Sequence, residues 1–213
     1  MSSSNGTNTI SHGISCLQTI RLPRADDVNK IVSLVAQRCP HLRLLEAKSA
    51  FVPTYTASYN VLARCCPQLK SLDLSGSQYV SDRALEELAI GCPSLTSLNL
   101  SSCVDITCAG LLALVGGDRI YSRDNPGPVH SNATSTGVRC NISDISGGCT
   151  RLQKLCLRKC NVRNDGIQVV AMRCQLHLRW LDLCDVTLIT DAAVLSLSQY
   201  CTQLVHVDLT NCR

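Results

Sequence analysis

The frame L-x-x-L-x-L recurs seven times in this chain. The copies are Leu17/Ile20/Leu22, Leu42/Leu45/Ala47, Leu69/Leu72/Leu74, Leu95/Leu98/Leu100, Leu152/Leu155/Leu157, Leu178/Leu181/Leu183 and Leu204/Val207/Leu209. Their first members are spaced 25, 27, 26, 57, 26 and 26 residues apart. Self-similarity at such a period marks stacked coils, each a strand followed by a helix. One coil cannot bury its own leucines, but its neighbours can cover them, and each buried leucine contributes about 1.5–3 kcal/mol. The expected architecture is a right-handed α/β horseshoe, a solenoid with parallel strands on the concave face and helices on the convex face.

The cysteines follow the same period. Cys39, Cys66, Cys92, Cys149 and Cys201 lie three residues before the first leucine of a frame, and Cys174 lies four before. Three residues after the last frame position stand Ala25, Ala50, Ser77, Cys103, Cys160, Val186 and Cys212, all small. These are corner positions, where a thiol fills little space and donates weakly to a nearby carbonyl. Fifteen cysteines is an odd number, and Met1–Ile14 has no basic stretch followed by an apolar core. Both features argue for free thiols in a reducing compartment, cytoplasm or nucleus, rather than a secreted disulfide framework.

Helices are expected between the frames. Val80-Ser81-Asp82 and Ile189-Thr190-Asp191 place a capping hydroxyl and an acid at helix starts. Apolar residues then recur at i, i+3, i+4 as Ile31/Leu34/Val35, Tyr59/Leu62/Ala63, Leu85/Leu88/Ala89 and Ile167/Val170/Ala171. Pro40, Pro67 and Pro93 stop the helices behind their cysteines. Residues 1–14 are expected to be a disordered leader and residues 15–213 the repeat domain. Residues 118–148 carry no leucine frame and are rich in Ser, Asn, Gly and Pro. They read as a mobile insertion after the fourth helix; the alternative is a degenerate repeat, since Ile142-Ser143-Asp144 mimics a helix start. The last repeat reads as truncated after Cys212-Arg213.

Composition excludes several functions. Net charge is +4 with no long run of one sign, so neither nucleic acid nor an anionic membrane is an expected partner. No apolar segment is long enough to span a bilayer. No phosphate-binding loop follows Gly116-Gly117 or Gly147-Gly148, no C-x-x-C pair is present, and no cofactor or metal is expected.

Function is therefore sought on the concave sheet, on the residues that alternate with the leucines. Three rows result: Thr19, Leu44, Ser71, Ser97, Lys154, Trp180, His206; then Arg21, Glu46, Asp73, Asn99, Cys156, Asp182, Asp208; then Pro23, Lys48, Ser75, Ser101, Arg158, Cys184, Thr210. The protein-binding candidates are Arg21, Glu46, Lys48, Asp73, Asn99, Lys154, Arg158, Trp180, Asp182, His206 and Asp208. Asp182 and Asp208 fall on adjacent strands, an unfavourable pairing unless screened or paired. Trp180, the single tryptophan, is expected to stand exposed beside them as an anchor for a basic or amphipathic partner. The plainer alternative is a merely soluble sheet surface. A nucleophile–base–orienter set of Cys184, His206 and Asp208 is conceivable, but an open surface without oxyanion donors argues against catalysis.

The unit C-P-x-L-x-x-L-x-L-x-x-C-x-x-[IV]-[ST]-D, seen in CPQLKSLDLSGSQYVSD and CPSLTSLNLSSCVDIT, resembles the cysteine-containing subclass of leucine-rich repeats. That subclass is found mainly in F-box/LRR proteins, and LDLCDVTLITDAAVLSL is similar to the plant S-phase kinase-associated protein 2 type. The resemblance implies the substrate receptor of an SCF ubiquitin ligase, non-catalytic itself, with a protein substrate on the concave face. It implies the Skp1 adaptor and cullin as partners only if an F-box lies upstream. Leu22–Val32 faintly echoes an F-box opening but sits in phase with the first repeat. The alternative is a free-standing regulator or scaffold, similar to the related mitotic-exit antagonist without an F-box.

Overall fold

The computed structural model describes residues 15–22, 28–48, 57–77, 80–116 and 147–212. The expected leader, Pro23, Ala25, Ala50, Ile142–Asp144 and nearly all of the insertion lie outside the described residues. Seven three-residue strands alternate with helices: β1 (Thr19–Arg21), α1 (Val28–Arg38), β2 (Leu44–Glu46), α2 (Ala57–Cys65), β3 (Ser71–Asp73), α3 (Asp82–Gly91), β4 (Ser97–Asn99), α4 (Cys108–Leu114), β5 (Lys154–Cys156), α5 (Asn164–Arg173), β6 (Trp180–Asp182), α6 (Asp191–Tyr200) and β7 (His206–Asp208). The strands form one parallel sheet in chain order, β1 to β7. Each central residue pairs with the next, as Leu72 with Leu98 and Leu155 with Leu181. Parallel strands sit about 4.8 Å apart, whereas packed helices need about 8–10 Å. The strand side is therefore the shorter arc of the solenoid.

The leucine frames fill the space between sheet and helices; Leu45, Leu98, Leu155 and Leu181 are fully buried. The buried thiols link the coils. Cys66, Cys92 and Cys149 each donate to the carbonyl of the preceding column cysteine, Cys39, Cys66 and Cys92, at 3.5, 3.5 and 3.4 Å. At the other corner Cys103, Cys160 and Cys212 donate to Leu74, Leu100 and Leu183 carbonyls at 3.3, 3.1 and 3.1 Å. The described cysteines are free thiols. Burial pushes Cys66, Cys92, Cys103, Cys160 and Cys174 up to about 12.

After β3, β4, β5, β6 and β7 the chain turns through one left-handed residue. Gly76, Ser102, Lys159, Asp185 and Asn211 have φ between 59° and 74°. This conformation aims the N–H along the ladder: Ser102 donates to Arg158 O at 2.7 Å and Asp185 to Thr210 O at 2.8 Å. β4 and β5 pair in the common register despite their 57-residue repeat step, so the sheet is continuous there. Cys149 N–H donates to Leu114 O at 2.7 Å, and Arg173 Nε to Val115 O at 3.1 Å, closing that coil.

Two expectations are corrected. In α1 the buried face is Val32 and Ala36, followed by buried Cys39 just past the helix, while Leu34 is exposed. The run Ile31-Val32-Ser33-Leu34-Val35 offers two helical phases, and packing selects the one that leads into Cys39. The capping hydroxyls also behave differently. Ser81 and Thr190 make no side-chain cap bond, and among the described caps only Thr107 accepts from its own helix, at Ala109 N. The acid or amide that opens α3 and α5 reaches sideways instead. Asp82 accepts from Thr107 N at 2.8 Å and Thr107 Oγ1 at 2.6 Å. Asn164 accepts from Thr190 N at 2.9 Å and donates to Thr190 Oγ1 at 2.9 Å. Gly110 makes room for this link, since a Cβ there would collide with the Asp82 carboxylate.

Candidate functional site: the sheet face

The middle row of the sheet face ends its strands with acids and amides for a structural reason. The side-chain Oδ1 of Asp73, Asn99, Asp182 and Asp208 accepts the N–H two residues later, from Ser75, Ser101, Cys184 and Thr210, at 2.9–3.1 Å. Such a turn ends β3, β4, β6 and β7 and starts the chain toward its left-handed corner. These residues therefore close turns before they can meet any partner. The repeated sequence [DN]-L-[SCT] carries this signal, and it passes unnoticed when the row is read only as surface.

The remaining charge sorts into two clusters. In the first, Arg21 Nε meets Glu46 Oε1 at 2.9 Å, and Lys48 Nζ lies between Glu46 Oε2 at 3.7 Å and Asp73 Oδ2 at 3.5 Å. In the second, Arg158 bridges the two neighbouring acids, Nε to Asp182 Oδ2 at 3.4 Å and Nη2 to Asp208 Oδ2 at 3.6 Å. The like-charge contact expected from the register is thus paired. The bonds to Thr210, with Arg158 and His206 nearby, hold Asp208 below the usual carboxylate range. Apart from Arg21–Glu46 these contacts are long, and all are solvated on the cationic side, so a partner can displace them at small cost. Asn99 stands between the clusters and also accepts from Ser101 Oγ at 2.7 Å.

Trp180 is exposed, as its row position implied, at 42%. It is not simply flanked by acids. His206, one strand on, stacks on it with ring centroids 3.7 Å apart and planes at 18°. Lys154, one strand back, places its ammonium 5.3 Å from the indole centroid. Lys154, Trp180 and His206 occupy equivalent positions on β5, β6 and β7. The register that lines them up was readable from the repeat; the stacking was not. The structure thus gathers Lys154, Arg158, Trp180, Asp182, His206 and Asp208 in one place, and Arg21, Glu46, Lys48 and Asp73 in another.

The conceivable catalytic set is differently engaged. Cys184 Sγ donates to Asp185 Oδ2 at 3.5 Å rather than facing a base. Burial first, then that bond, raises its pKa, the opposite of nucleophile activation. Among the described residues no cluster of three or more His, Cys, Asp or Glu could hold a metal ion. Nor is any described helix long and apolar enough to cross a membrane.

A family model described as "Leucine Rich repeat" matches residues 65–89 and 91–115, the coils containing β3, α3, β4 and α4. The fold is a leucine-rich repeat solenoid. A similar protein is F-box/LRR-repeat protein 4 of Bos taurus, 28% identical over 154 residues, which is 70% of this chain and 23% of that protein. The leucine-rich repeat chain thus spans less than a quarter of that relative's length. Two solved structures are also similar. The mouse RP105/MD-1 complex matches with a TM-score of 0.39 and 18% identity, over 94% of this chain and 35% of that one. The yeast Rad7 and Elc1 complex matches with a TM-score of 0.29 and 13% identity, over 89% of this chain and 63% of that one. Leucine-rich repeats point to a protein-interaction module, and nothing among the described residues points to enzymatic activity.

Proposed function

We propose that this leucine-rich repeat chain is the substrate-holding part of an F-box/LRR receptor, of the cysteine-containing subclass, acting in the cytoplasm or nucleus. Its sheet face would hold a protein destined for SCF-dependent ubiquitination. Support comes from the similarity to a bovine F-box/LRR-repeat protein. The observation that carries the choice of surface is the Lys154–Trp180–His206 stack. An exposed indole fixed between a cation and an imidazole loses little side-chain freedom on binding. It offers apolar area at low entropic cost, which is how aromatic hot spots work. Around it lie charges paired loosely enough to be re-paired by a partner.

The test is affinity capture with the full-length gene product, comparing the natural sequence with Trp180→Ala/Lys154→Ala. Asp182 is left in place because it closes a turn. The variant is expected to keep its circular dichroism and lose its principal partner. Undiminished capture would discard this surface. Co-purification of the Skp1 adaptor and cullin is the further expectation; partners captured without either would instead identify a free-standing leucine-rich repeat regulator.

A further inference from the structure

The solenoid sorts its charge between two edges. One edge carries the helix C-termini and the entries to the strands, residues 37–45, 64–72, 90–98, 147–155, 173–181 and 199–207. These six segments contain no Asp or Glu, while four of them carry two Lys or Arg each. The described acids lie on the last strand residue, in the turn after it, or in the helix. Arg38, Arg64 and Arg173 have an ordinary explanation, since they occupy last helical turns, where cations complement the helix dipole. Arg43, Lys70, Arg151 and Arg179 do not. They follow the helices, are exposed, and no ion pair among the described residues engages them.

Arg43, Lys70 and Arg179 share one ladder position, while Arg151 lies two residues before its coil's, Gln153. The backbone ladder runs Arg43 to Lys70 to Thr96 to Gln153 to Arg179 to Val205, each N–H donating to the residue one coil earlier at 2.7–2.9 Å. Arg43 and Arg179 are four strand steps apart, so this row of cations spans about 19 Å. Exposed apolar side chains stand among them at the β6–β7 end. Val205 is 84% and Leu176 69% exposed, and Trp180 directly follows Arg179.

We propose that this rim is a docking edge for an acidic segment of a partner protein, in which carboxylates alternate with apolar side chains. About six extended residues cover the span at ~3.3 Å each. Leu176 and Val205 at the β6–β7 end favour a polypeptide over nucleic acid, whose phosphates leave apolar aliphatic groups unused. Charge complementarity of this kind acts chiefly on the rate and specificity of encounter. The inference rests on the reading of the chain as a protein-interaction module, but its rim residues are not those of the sheet-face clusters.

The test is fluorescence anisotropy with a labelled dodecapeptide of alternating glutamate and leucine. Polyglutamate and an oligothymidylate of equal charge serve as comparators. The proteins are the natural chain, Arg43→Glu/Arg179→Glu, and Arg83→Glu/Arg163→Glu. The last pair makes the same change in net charge at the opposite edge. The alternating peptide is expected to bind best, weakening with salt. The rim variant should lose about tenfold, the opposite-edge variant less than about twofold, with circular dichroism preserved in both. Absence of peptide binding, equal losses in both variants, or tighter binding of the oligothymidylate would overturn the proposal. A chain that ignores the peptide yet captures its partner through Trp180 would sink the rim and leave the sheet-face reading standing.

Discussion

Asp82 offers the sharpest test of how neighbouring coils are joined. Its carboxylate opens α3 and accepts both the N–H and the hydroxyl of Thr107, which caps α4. A hydrogen bond to an ionised group contributes about 1.5–3 kcal/mol when well buried. Asp82 is only half-buried, so we take the pair together at roughly 2 kcal/mol and add about 0.5 kcal/mol for the α3 dipole. Asp82→Ala should therefore cost about 2–3 kcal/mol, or about 4–12 °C in Tm for a domain of this size. Asp82→Asn should behave differently. The Asn164–Thr190 link already shows an amide doing this work, its oxygen accepting the N–H and its NH2 donating to the hydroxyl. We expect Asp82→Asn to cost less than about 1 kcal/mol. Thr107→Val keeps the backbone N–H bond to Asp82 and should cost about 1–2 kcal/mol, and the double variant should cost about 1 kcal/mol less than the sum of the two, the coupling carried by the hydroxyl bond. Urea titrations followed by circular dichroism measure all four. An Asn variant as damaging as Ala would show that charge, not the two-point link, stabilises the joint. Additive losses would show that Asp82 and Thr107 do not act together.

The buried thiols predict alkaline instability. Five are pushed up to about 12 in the folded chain against an ordinary thiol near 8.5. Above the ordinary value the unfolded chain releases protons that the folded chain retains, so the thiols' contribution to stability is flat below pH ~8 and falls as pH rises toward ~12, at up to ~1.4 kcal/mol per thiol per pH unit; a urea midpoint unchanged from pH 8 to 10 would contradict this. Alkylation of the native protein at neutral pH should label exposed Cys16 first and the buried columns only after unfolding, as peptide mapping would show. Asp182→Ala should destabilise by about 1–2 kcal/mol because the Cys184 N–H loses its acceptor, whereas Trp180→Ala should change stability by less than about 1 kcal/mol. The reverse order in denaturant titrations would refute the division of labour between turn and contact surface.

What could be read from the sequence was what the period controls. The strand centres, the cysteine columns and the corner positions all follow from a 26-residue step, because each coil must present the same face to its neighbours. Contacts that depend on side-chain geometry were not legible. Leu34 and Val32 have equal apolar character, and only the packing of α1 toward Cys39 separates them. Ser81 and Thr190 satisfy the rule for a helix cap, yet the neighbouring coil offers their region a better partner than their own helix does. Asp182 and Asp208 are adjacent in the repeat and in the sheet alike. Arg158, placed two residues beyond β5, turns their repulsion into a bridge, and a one-dimensional row could not show its reach.

The distribution of charge carries the argument one step further. Four coils place an acceptor at the strand end to close the turn, and the coils containing Asp82 and Asn164 place another at the helix start to hold the next coil. Asp and Asn supply both. Acids therefore collect on the turn edge as a by-product of building the solenoid, and their presence on the sheet face is weak support for a binding role. Cations have no comparable structural duty at the opposite edge once the helix ends are counted. Thr96, Gln153 and Val205 occupy the same ladder as Arg43, Lys70 and Arg179 and make equivalent backbone bonds without any charge. Folding tolerates neutral residues there, so the cations on that edge call for an explanation outside the fold, whereas Asp73, Asp182 and Asp208 do not.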